Sequence, residues 1–522
     1  MNESDYTKGR TVPPARGTPD AELLPNDVRD AELLANVRPA DWRNPDPAPS
    51  YNIVVIGAGT AGLVTAAGAV ALGARVALVE KNLLGGDCLN FGCVPSKALL
   101  RAARFHADLH HAPRFAGSAP VPSEPDFTAA MERMRRLRAH ISRNDSAQRF
   151  QALGVDVFLG DAAFVDRRTV EVAGATLRFT KAVIATGTRA ARPPIEGLAE
   201  AGYLTNETVF NLTERPRRLL VIGGGPLGCE LAQAFARLGS QVIIAGREPY
   251  FLPGEERDAA EILADALRRD GIEVRLNTEV TGVSQRDGEK RVRLVNDNQE
   301  TTVAVDEILV GAGRVPNVEG LNLEAAGVDY DHEHGVRVND YLQTRNRRIY
   351  AAGDVALERK YTHMADATAR IVIQNALFWG RKKLGSLTIP WCTYTDPEIA
   401  HVGLYVKECQ EQGFPFKTFN VPMSEVDRAV LDGEEEGFVK IHVHEGTDTI
   451  LGATIVARHA GEMINEISLA MVAGIGLKTV SQVIHSYPTQ AEAIRKAGDA
   501  YTRTRLTPFL KSLSRRWLAW SR

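Results

Sequence analysis

The chain has 522 residues, which is a prior of roughly three to four domains. Lys and Arg total 62 against 65 Asp and Glu, for a net charge of −3, and 44% of residues are hydrophobic. These values exclude the basic balance of a nucleic-acid coat and the charge-rich, apolar-poor profile of a disordered chain.

Residues 1–50 are rich in Pro, Asp and Arg and repeat DAELL at 20–24 and 30–34. Each copy is enough for a turn or two of helix, too short to stand alone. PADWRNPDPAPS then reads as an extended linker. The segment is taken as an N-terminal arm lying on a globular body. It has no apolar h-region, and no apolar run in the chain approaches the ~18 residues of a membrane helix. The reading is a cytoplasmic protein, and five cysteines in so long a chain are not a disulfide framework.

From Tyr51, YNIVVIGAG reads as a buried parallel-sheet strand, TAGLVTAAGAVALG as a small-residue helix and ARVALVE as a second strand. The glycines Gly57, Gly59 and Gly62 suit a dinucleotide turn: one for the tight turn, one for approach of a pyrophosphate, one for helix–strand packing. The helix N-terminus offers free N–H groups to phosphate. Glu80, 23 residues after Gly57, ends the second strand where a carboxylate bonds ribose hydroxyls.

GGDCLNFGCVPSKALL follows, with Cys88 and Cys93 separated by four residues. A zinc site needs two more ligands nearby, and none appear; no metal site is assigned. A helix starting near Cys93 lowers the pKa of a thiol at its N-terminus. FTAAMERMRRLRAHISRNDSAQRF then reads as an amphipathic surface helix.

The strand–helix–strand order returns with RRLLVIGGG, PLGCELAQAFARLG and SQVIIAG, placing Gly223, Gly225 and Gly228 in a second turn. Gly246 stands where the first unit has Glu80, and Arg247 follows. Loss of the acid and gain of a guanidinium fork favour a 2′-phosphate, so NADPH is inferred over NADH. The plainer reading of Arg247 is a solvated loop arginine.

After residue 390, alternating runs such as GFVKIHVH and TILGATIVA read as antiparallel strands interleaved with helices. His442 and His444 share one strand face, read as a solvated face rather than a metal face. Cys229 reads as core, and Cys392 and Cys409 have no partner motif. After Asp499 there are no acids, while Arg503, Arg505, Lys511, Arg515, Arg516 and Arg522 remain, and Trp517 and Trp520 share a helical face with Leu513. This basic tail reads as packing over the body of the protein, with weak contact to an anionic membrane surface as the second reading. The fold class is α/β: two Rossmann-like dinucleotide-binding domains plus a C-terminal α+β domain.

Five motifs in order — GGDCLNFGCVPSK, ATG at 185–187, GGGPLGCE at 223–230, GRVPN at 313–317 and IYAAGD at 349–354 — make residues 51–505 resemble the flavoprotein disulfide reductases, which include glutathione reductase, dihydrolipoamide dehydrogenase and mercuric reductase. The resemblance implies FAD on Gly57, Gly59, Gly62, Glu80, Lys81, Gly86, Thr186, Gly187 and Asp354, the last on the ribityl chain. It implies a nicotinamide nucleotide on Gly223, Gly225, Gly228, Gly246 and Arg247, with Gly313 and Arg314 in the hinge on that side. Cys93 resembles the flavin-proximal thiol, Cys88 the interchange thiol, and Lys97 and Glu230 the ion pair beside the flavin ring. The implied organisation is an arm (1–50), an FAD-binding domain (51–210 and 331–388), an NAD(P)-binding domain (211–330), a dimerisation domain (389–505) and the tail (506–522), assembled as a homodimer.

The family's thiol-active members carry His before Pro-Thr, followed by Glu. Here Tyr487 precedes Pro488-Thr489, and Glu492 matches the glutamate. A phenol with a pKa near ~10 is a poor base at neutral pH. His485 stands two residues earlier and substitutes only if the backbone bends. An aromatic here is reminiscent of mercuric reductase, as are WCTYTDPEIAHVGL and DGEEEGFVKI. The sequence lacks that enzyme's C-terminal vicinal cysteine pair, ending instead RRWLAWSR. The expected activity passes electrons from NADPH through flavin to the Cys88–Cys93 disulfide and on to a metal ion or a small disulfide or electrophile. The alternatives are a dihydrolipoamide-dehydrogenase-like activity, or a flavin redox sensor or electron-transfer protein without small-disulfide turnover.

Overall fold

The computed structural model describes residues 23–117, 124–286 and 288–522. The chain forms two compact units. One holds residues up to Arg247 together with Asn277–Leu387; the other holds Glu248–Leu276 with Thr388–Arg522.

The first unit is built on the strand Tyr51–Ile56, buried along almost its whole length. It pairs in parallel with Val76–Glu80 on one side and with the C-terminal half of Ala175–Ile184 on the other. Asp156–Leu159 extends one edge. Ile349–Ala351 returns from far along the chain to pair in parallel with Ala182–Ile184. Near-continuous Val, Ile and Leu runs belong in such a sheet because both of its faces are covered. The helix Thr60–Ala71 is rich in Ala and Gly, and these small residues let it lie close to the helix Thr362–Leu377. The second strand–helix–strand unit repeats the plan: Arg218–Ile222 lies between Gln241–Ala245 and Glu307–Val310, all parallel.

The N-terminal arm is anchored at several points. The second DAELL copy falls in the helix Val28–Val37, capped by Asp27, whose side chain accepts from the Arg29 and Asp30 N–H groups. The first copy lies largely outside the described residues. Asp30 is buried and pairs at 3.0 Å with the equally buried Arg138 of the helix Phe127–Ser142. The stretch read as a linker is extended, and it is pinned to the sheet edge. Asn44 both donates to the Leu159 carbonyl, at 3.0 Å, and accepts from the Leu159 N–H, at 2.7 Å, while Trp42 donates to the Val157 carbonyl at 3.3 Å. One side chain thereby satisfies edge backbone groups that would otherwise face water.

The second unit contains a five-stranded antiparallel sheet in the order Pro390–Thr393, Glu398–Gly403, Ile450–Ala457, Phe438–His444 and Phe416–Pro422. One face packs on the helices Ala460–Val472 and Glu492–Thr504. His442 corrects the expectation of a solvated face. It is fully buried, bonded to Thr418 at 2.8 Å and to Glu256 at 3.2 Å. Glu256 also accepts from Lys440 at 2.6 Å; although burial pulls its pKa up, the His442 and Lys440 bonds hold it down to about 2. Among the described residues no cluster of His, Cys, Asp and Glu is built to hold a metal ion. The terminal helix Pro508–Trp520 buries no residue. No helix among the described residues is long and apolar enough to cross a membrane.

Candidate functional site

The first glycine turn is shaped by backbone against backbone. Gly57 has φ +101°, and a Cβ there would stand 2.3 Å from the Ala185 carbonyl oxygen; a Cβ on Gly62 would stand 1.8 Å from the Gly57 oxygen. Gly59 caps the helix Thr60–Ala71 and faces Gly86, whose φ of +57° would bring a Cβ within 2.6 Å of the Gly59 Cα. The two glycines leave no side chain over the helix N-terminus, which is the cradle a pyrophosphate needs. Glu80 is buried, and each of its oxygens accepts a backbone N–H, from Ala58 at 2.6 Å and from Asn82 at 2.8 Å. Burial raises its pKa against those bonds. Lys81 is exposed beside it. These residues fit the adenosine half of FAD.

Thr186 donates to the Asn317 carbonyl at 2.7 Å, and Gly187 takes a left-handed φ of +65° next to it. Asp354 is pushed up by burial and accepts from the Thr188 hydroxyl at 3.2 Å. Arg314 also bonds Thr188, at 2.7 Å, and forms an ion pair with Asp87, the residue before Cys88. The reason is strand register: Arg314–Pro316 pairs antiparallel with Thr188–Ala190. Arg314 is thus joined to the Asp354 and cysteine side of the site. Gly313, φ +99°, makes the preceding bend.

Cys88 sits in the short helix Gly86–Asn90, and Cys93 is the first residue of the helix Cys93–His111. Both are free thiols. The turn between them is held by Asn90, which donates to the Leu84 carbonyl at 3.0 Å and to that of Gly86 at 2.8 Å, while Arg138 donates to the Asn90 carbonyl at 3.1 Å. The hydrogen bond from Cys88 drives the Cys93 thiol down to about 6, aided by Thr362 and the Lys97 charge against the cost of burial. The same bond drives Cys88 up, with burial and the nearby Asp145 carboxylate adding to it. Thr362 Oγ1 lies 3.3 Å from Cys93 Sγ, at the N-terminus of its own helix. One proton shared between two sulfurs therefore leaves the negative charge on Cys93. Lys97, one turn on, puts Nζ 2.6 Å from the buried Glu230 carboxylate.

The second glycine turn copies the first. Gly223 has φ +105° and Gly228 would place a Cβ 2.3 Å from the Gly223 oxygen; Gly225 caps the helix Pro226–Arg237 with open space before it. A Cβ on Gly246 also meets nothing, so the place of the acid is vacant, and Arg247 beside it is exposed. These residues fit a nicotinamide nucleotide. Cys229 is fully buried, its thiol donating to the Gly224 carbonyl at 3.3 Å, and it has no path to chemistry.

Tyr487 is exposed in the second unit and donates to Asp427 at 2.9 Å, a bond that raises its pKa. Glu492 pairs with Arg495 at 2.6 Å. His485 is turned to Glu466, 3.0 Å from Nε2. Sequence reasoning missed Thr362, Asp145, Asn90 and Arg138. Only Arg138 carried a signal: it continues the Phe127, Met131, Met134 stripe of its helix, and an arginine on an apolar stripe needs a buried acid.

Comparison with known proteins places the chain in a family. Residues 51–370 match the family profile described as pyridine nucleotide-disulphide oxidoreductase, and residues 389–498 match its dimerisation domain. The mercuric reductase of Lysinibacillus sphaericus is 32% identical over 505 residues, spanning 95% of this chain and 91% of that one. The dihydrolipoyl dehydrogenase of Thermus scotoductus is 34% identical over 463 residues, 86% of this chain and 97% of that one. Among solved structures, the HOCl-induced flavoprotein disulfide reductase RclA from Escherichia coli superposes with a TM-score of 0.78 at 29% identity, covering 86% of this chain and 99% of that one. The chain belongs to the pyridine nucleotide-disulphide oxidoreductases, the FAD-binding, NAD(P)H-dependent flavoprotein disulfide reductases, and carries that family's dimerisation domain.

Proposed function

We propose that the protein is an NADPH-dependent reductase whose Cys88–Cys93 pair delivers two electrons to a thiophilic acceptor: a soft metal ion, or a small disulfide or electrophile. The observation that carries this reading is the placement of the pair. Cys93 opens the helix Cys93–His111, with Thr362 Oγ1 3.3 Å from its sulfur and the Lys97–Glu230 ion pair one turn on, so that its thiol is held down and that of Cys88 is held up. Bound FAD supplies the two-electron relay between the reduced nicotinamide and the disulfide.

The chain's own residues do the rest. Gly57, Gly59, Gly62, Gly86 and Glu80 hold the adenosine and pyrophosphate, and Thr186, Gly187 and Asp354 the middle of the cofactor. Gly223, Gly225 and Gly228 hold the coenzyme pyrophosphate, and Arg247 selects the 2′-phosphate. Two electrons and one proton turn the disulfide into the Cys88 thiol and the Cys93 thiolate. Lys97 stabilises that thiolate through its charge, and Glu230 fixes Lys97. Cys88 then gives up its proton and bonds to the acceptor. A disulfide acceptor leaves as two thiols, the first when Cys88 bonds to it and the second when Cys88–Cys93 closes again; one Hg(II) ion accepts the electron pair, or two Cu(II) ions one electron each, as the S–S bond re-forms. The chain acts as a homodimer through residues 389–505.

Tyr487 favours a metal or electrophile over lipoamide. Its hydroxyl is an acid too weak to trade protons with a thiol near neutral pH. The mercuric reductases among its relatives and a Cu(II) complex of E. coli RclA, 28% identical with a TM-score of 0.77, support the same class of acceptor. An anaerobic acceptor screen tests the proposal. NADPH oxidation should be faster with Hg(II) or Cu(II) than with lipoamide, and turnover on lipoamide alone would contradict the preference for a metal ion or electrophile and favour the dihydrolipoamide-dehydrogenase-like alternative.

The terminal helix supports a second reading, that of a membrane-associated electron carrier. Phe509, Leu510, Leu513, Trp517 and Trp520 lie within one ~100° arc of Pro508–Trp520, all of them exposed, above a polar side that carries only positive charge. Co-sedimentation with anionic vesicles that is lost on deleting 506–522 would support it.

A further inference from the structure

Five arginines converge on one pocket of the first unit. Arg167, Arg168, Arg345, Arg347 and Arg348, with Asn346, line a cavity of about 430 Å³. It lies at the other end of the sheet from the cofactor turn. The strands Tyr51–Ile56, Ala182–Ile184 and Ile349–Ala351 run parallel; Gly57 and Asp354 follow their C-terminal ends, whereas Arg345–Arg348 precede the N-terminal end. Arg167 and Arg168 form the turn between the strands Ala162–Asp166 and Thr169–Val172.

The pocket is a built feature. The buried Asn346 side chain donates to the Arg167 carbonyl at 3.2 Å and to the Ala326 carbonyl at 2.7 Å, tying the two arginine-bearing loops together. Its oxygen accepts the Arg348 N–H at 3.2 Å. Lys181 donates to the Arg347 carbonyl at 3.1 Å and adds a sixth cation behind the loop. Burial, and then the Arg348 charge, push the Lys181 pKa down.

Acids do not balance this charge. Arg345 meets Asp329 at 3.5 Å, and among the described residues no carboxylate pairs with Arg167, Arg168, Arg347 or Arg348. Guanidinium groups do not lose their protons, so the repulsion is permanent. The chain as a whole carries a net −3, so the concentration is local.

The geometry points to a binding site for a small multivalent phosphate anion, a diphosphate or longer, engaged by bidentate guanidinium contacts. A single orthophosphate satisfies one or two forks; a chain of phosphates spans both loops. The same chemistry is offered by a free polyphosphate or nucleotide tail and by a phosphorylated lipid headgroup.

The test uses the FAD-saturated, full-length protein in calorimetric titrations with tripolyphosphate, pyrophosphate, orthophosphate and sulfate. Two variants accompany it, Arg168→Ala/Arg347→Ala and Arg347→Glu. Tripolyphosphate is expected to bind at least tenfold more tightly than orthophosphate, and at least tenfold more weakly to either variant, with thermal unfolding of the ligand-free variants unchanged or raised. In a parallel arm, vesicles containing a phosphoinositide that pellet wild type but not the variants assign the headgroup source. Binding of soluble tripolyphosphate without such pelleting assigns the free source. Equal affinity for tripolyphosphate and orthophosphate, or affinity unchanged in both variants, overturns the proposal. So does retention of an RNA oligonucleotide without tripolyphosphate binding.

Discussion

Lys97 places its ammonium 2.6 Å from the Glu230 carboxylate, joining the helix that begins at Cys93 to the helix that follows the second glycine turn. The two charges act on Cys93 with opposite signs: Lys97 lowers its pKa and Glu230 raises it. Removing Lys97 with Lys97→Met should therefore move the Cys93 titration above 6, and Glu230→Gln should move it below. The midpoint is read from the pH dependence of alkylation by iodoacetamide in the reduced protein. Shifts in the same direction for both variants would contradict the arrangement.

In the proposed function, coenzyme choice rests on a vacant position and its neighbour. Gly246 leaves open space where the first unit has Glu80, and Arg247 is exposed beside it. Arg247→Ala should raise KM for NADPH about tenfold or more, with little change for NADH, since a charge-assisted bond contributes about 1.5–3 kcal/mol. Gly246→Glu should reverse the preference. Equal effects on both coenzymes would place Arg247 outside the recognition of the 2′-phosphate.

Tyr487 donates a hydrogen bond to Asp427 that raises its pKa, so its phenol stays protonated and does not take a proton from a thiol at neutral pH. Replacement by histidine installs a group titrating near ~6.5. Tyr487→His should raise lipoamide turnover about tenfold or more, a modest fraction of what a positioned general base supplies. The increase should follow a pH profile that rises as the imidazole loses its proton. Tyr487→Phe, tested alongside, should leave that activity as low as in wild type.

The arm contributes stability through Asp30. Its pair with Arg138 is almost fully shielded, at 0% and 1% side-chain exposure. Leaving a buried charge without its partner costs about 3–5 kcal/mol, so Asp30→Ala should lower urea-unfolding stability by that order. Because Arg138 also holds the Asn90 carbonyl between the two cysteines, the same variant should quicken alkylation of Cys88 in the native protein.

What the sequence reveals here follows from locality. The glycine turns, the cysteine pair and Lys97 lie in contiguous motifs whose backbone demands are written within a few residues. Partners brought in by strand register are not. Arg314 reads as part of a nicotinamide-side hinge, and pairing with Thr188–Ala190 is what carries it to Asp87. His442 reads as solvated because Glu256, which buries it, is 186 residues away. Thr362 and Asp145 approach the cysteines from distant helices, with no spacing in the sequence to announce them.

Electrons from a reduced nicotinamide should arrive at these two sulfurs. Mass-spectrometric thiol labelling before and after anaerobic addition of NADPH to the oxidised, FAD-loaded protein reads this directly. Cys88 and Cys93 should pass together from unlabelled to labelled, Cys88→Ser should leave Cys93 labelled throughout, and Cys229, Cys392 and Cys409 should not respond. Labelling of Cys88 and Cys93 that is indifferent to NADPH, or a response confined to the other three cysteines, would contradict it.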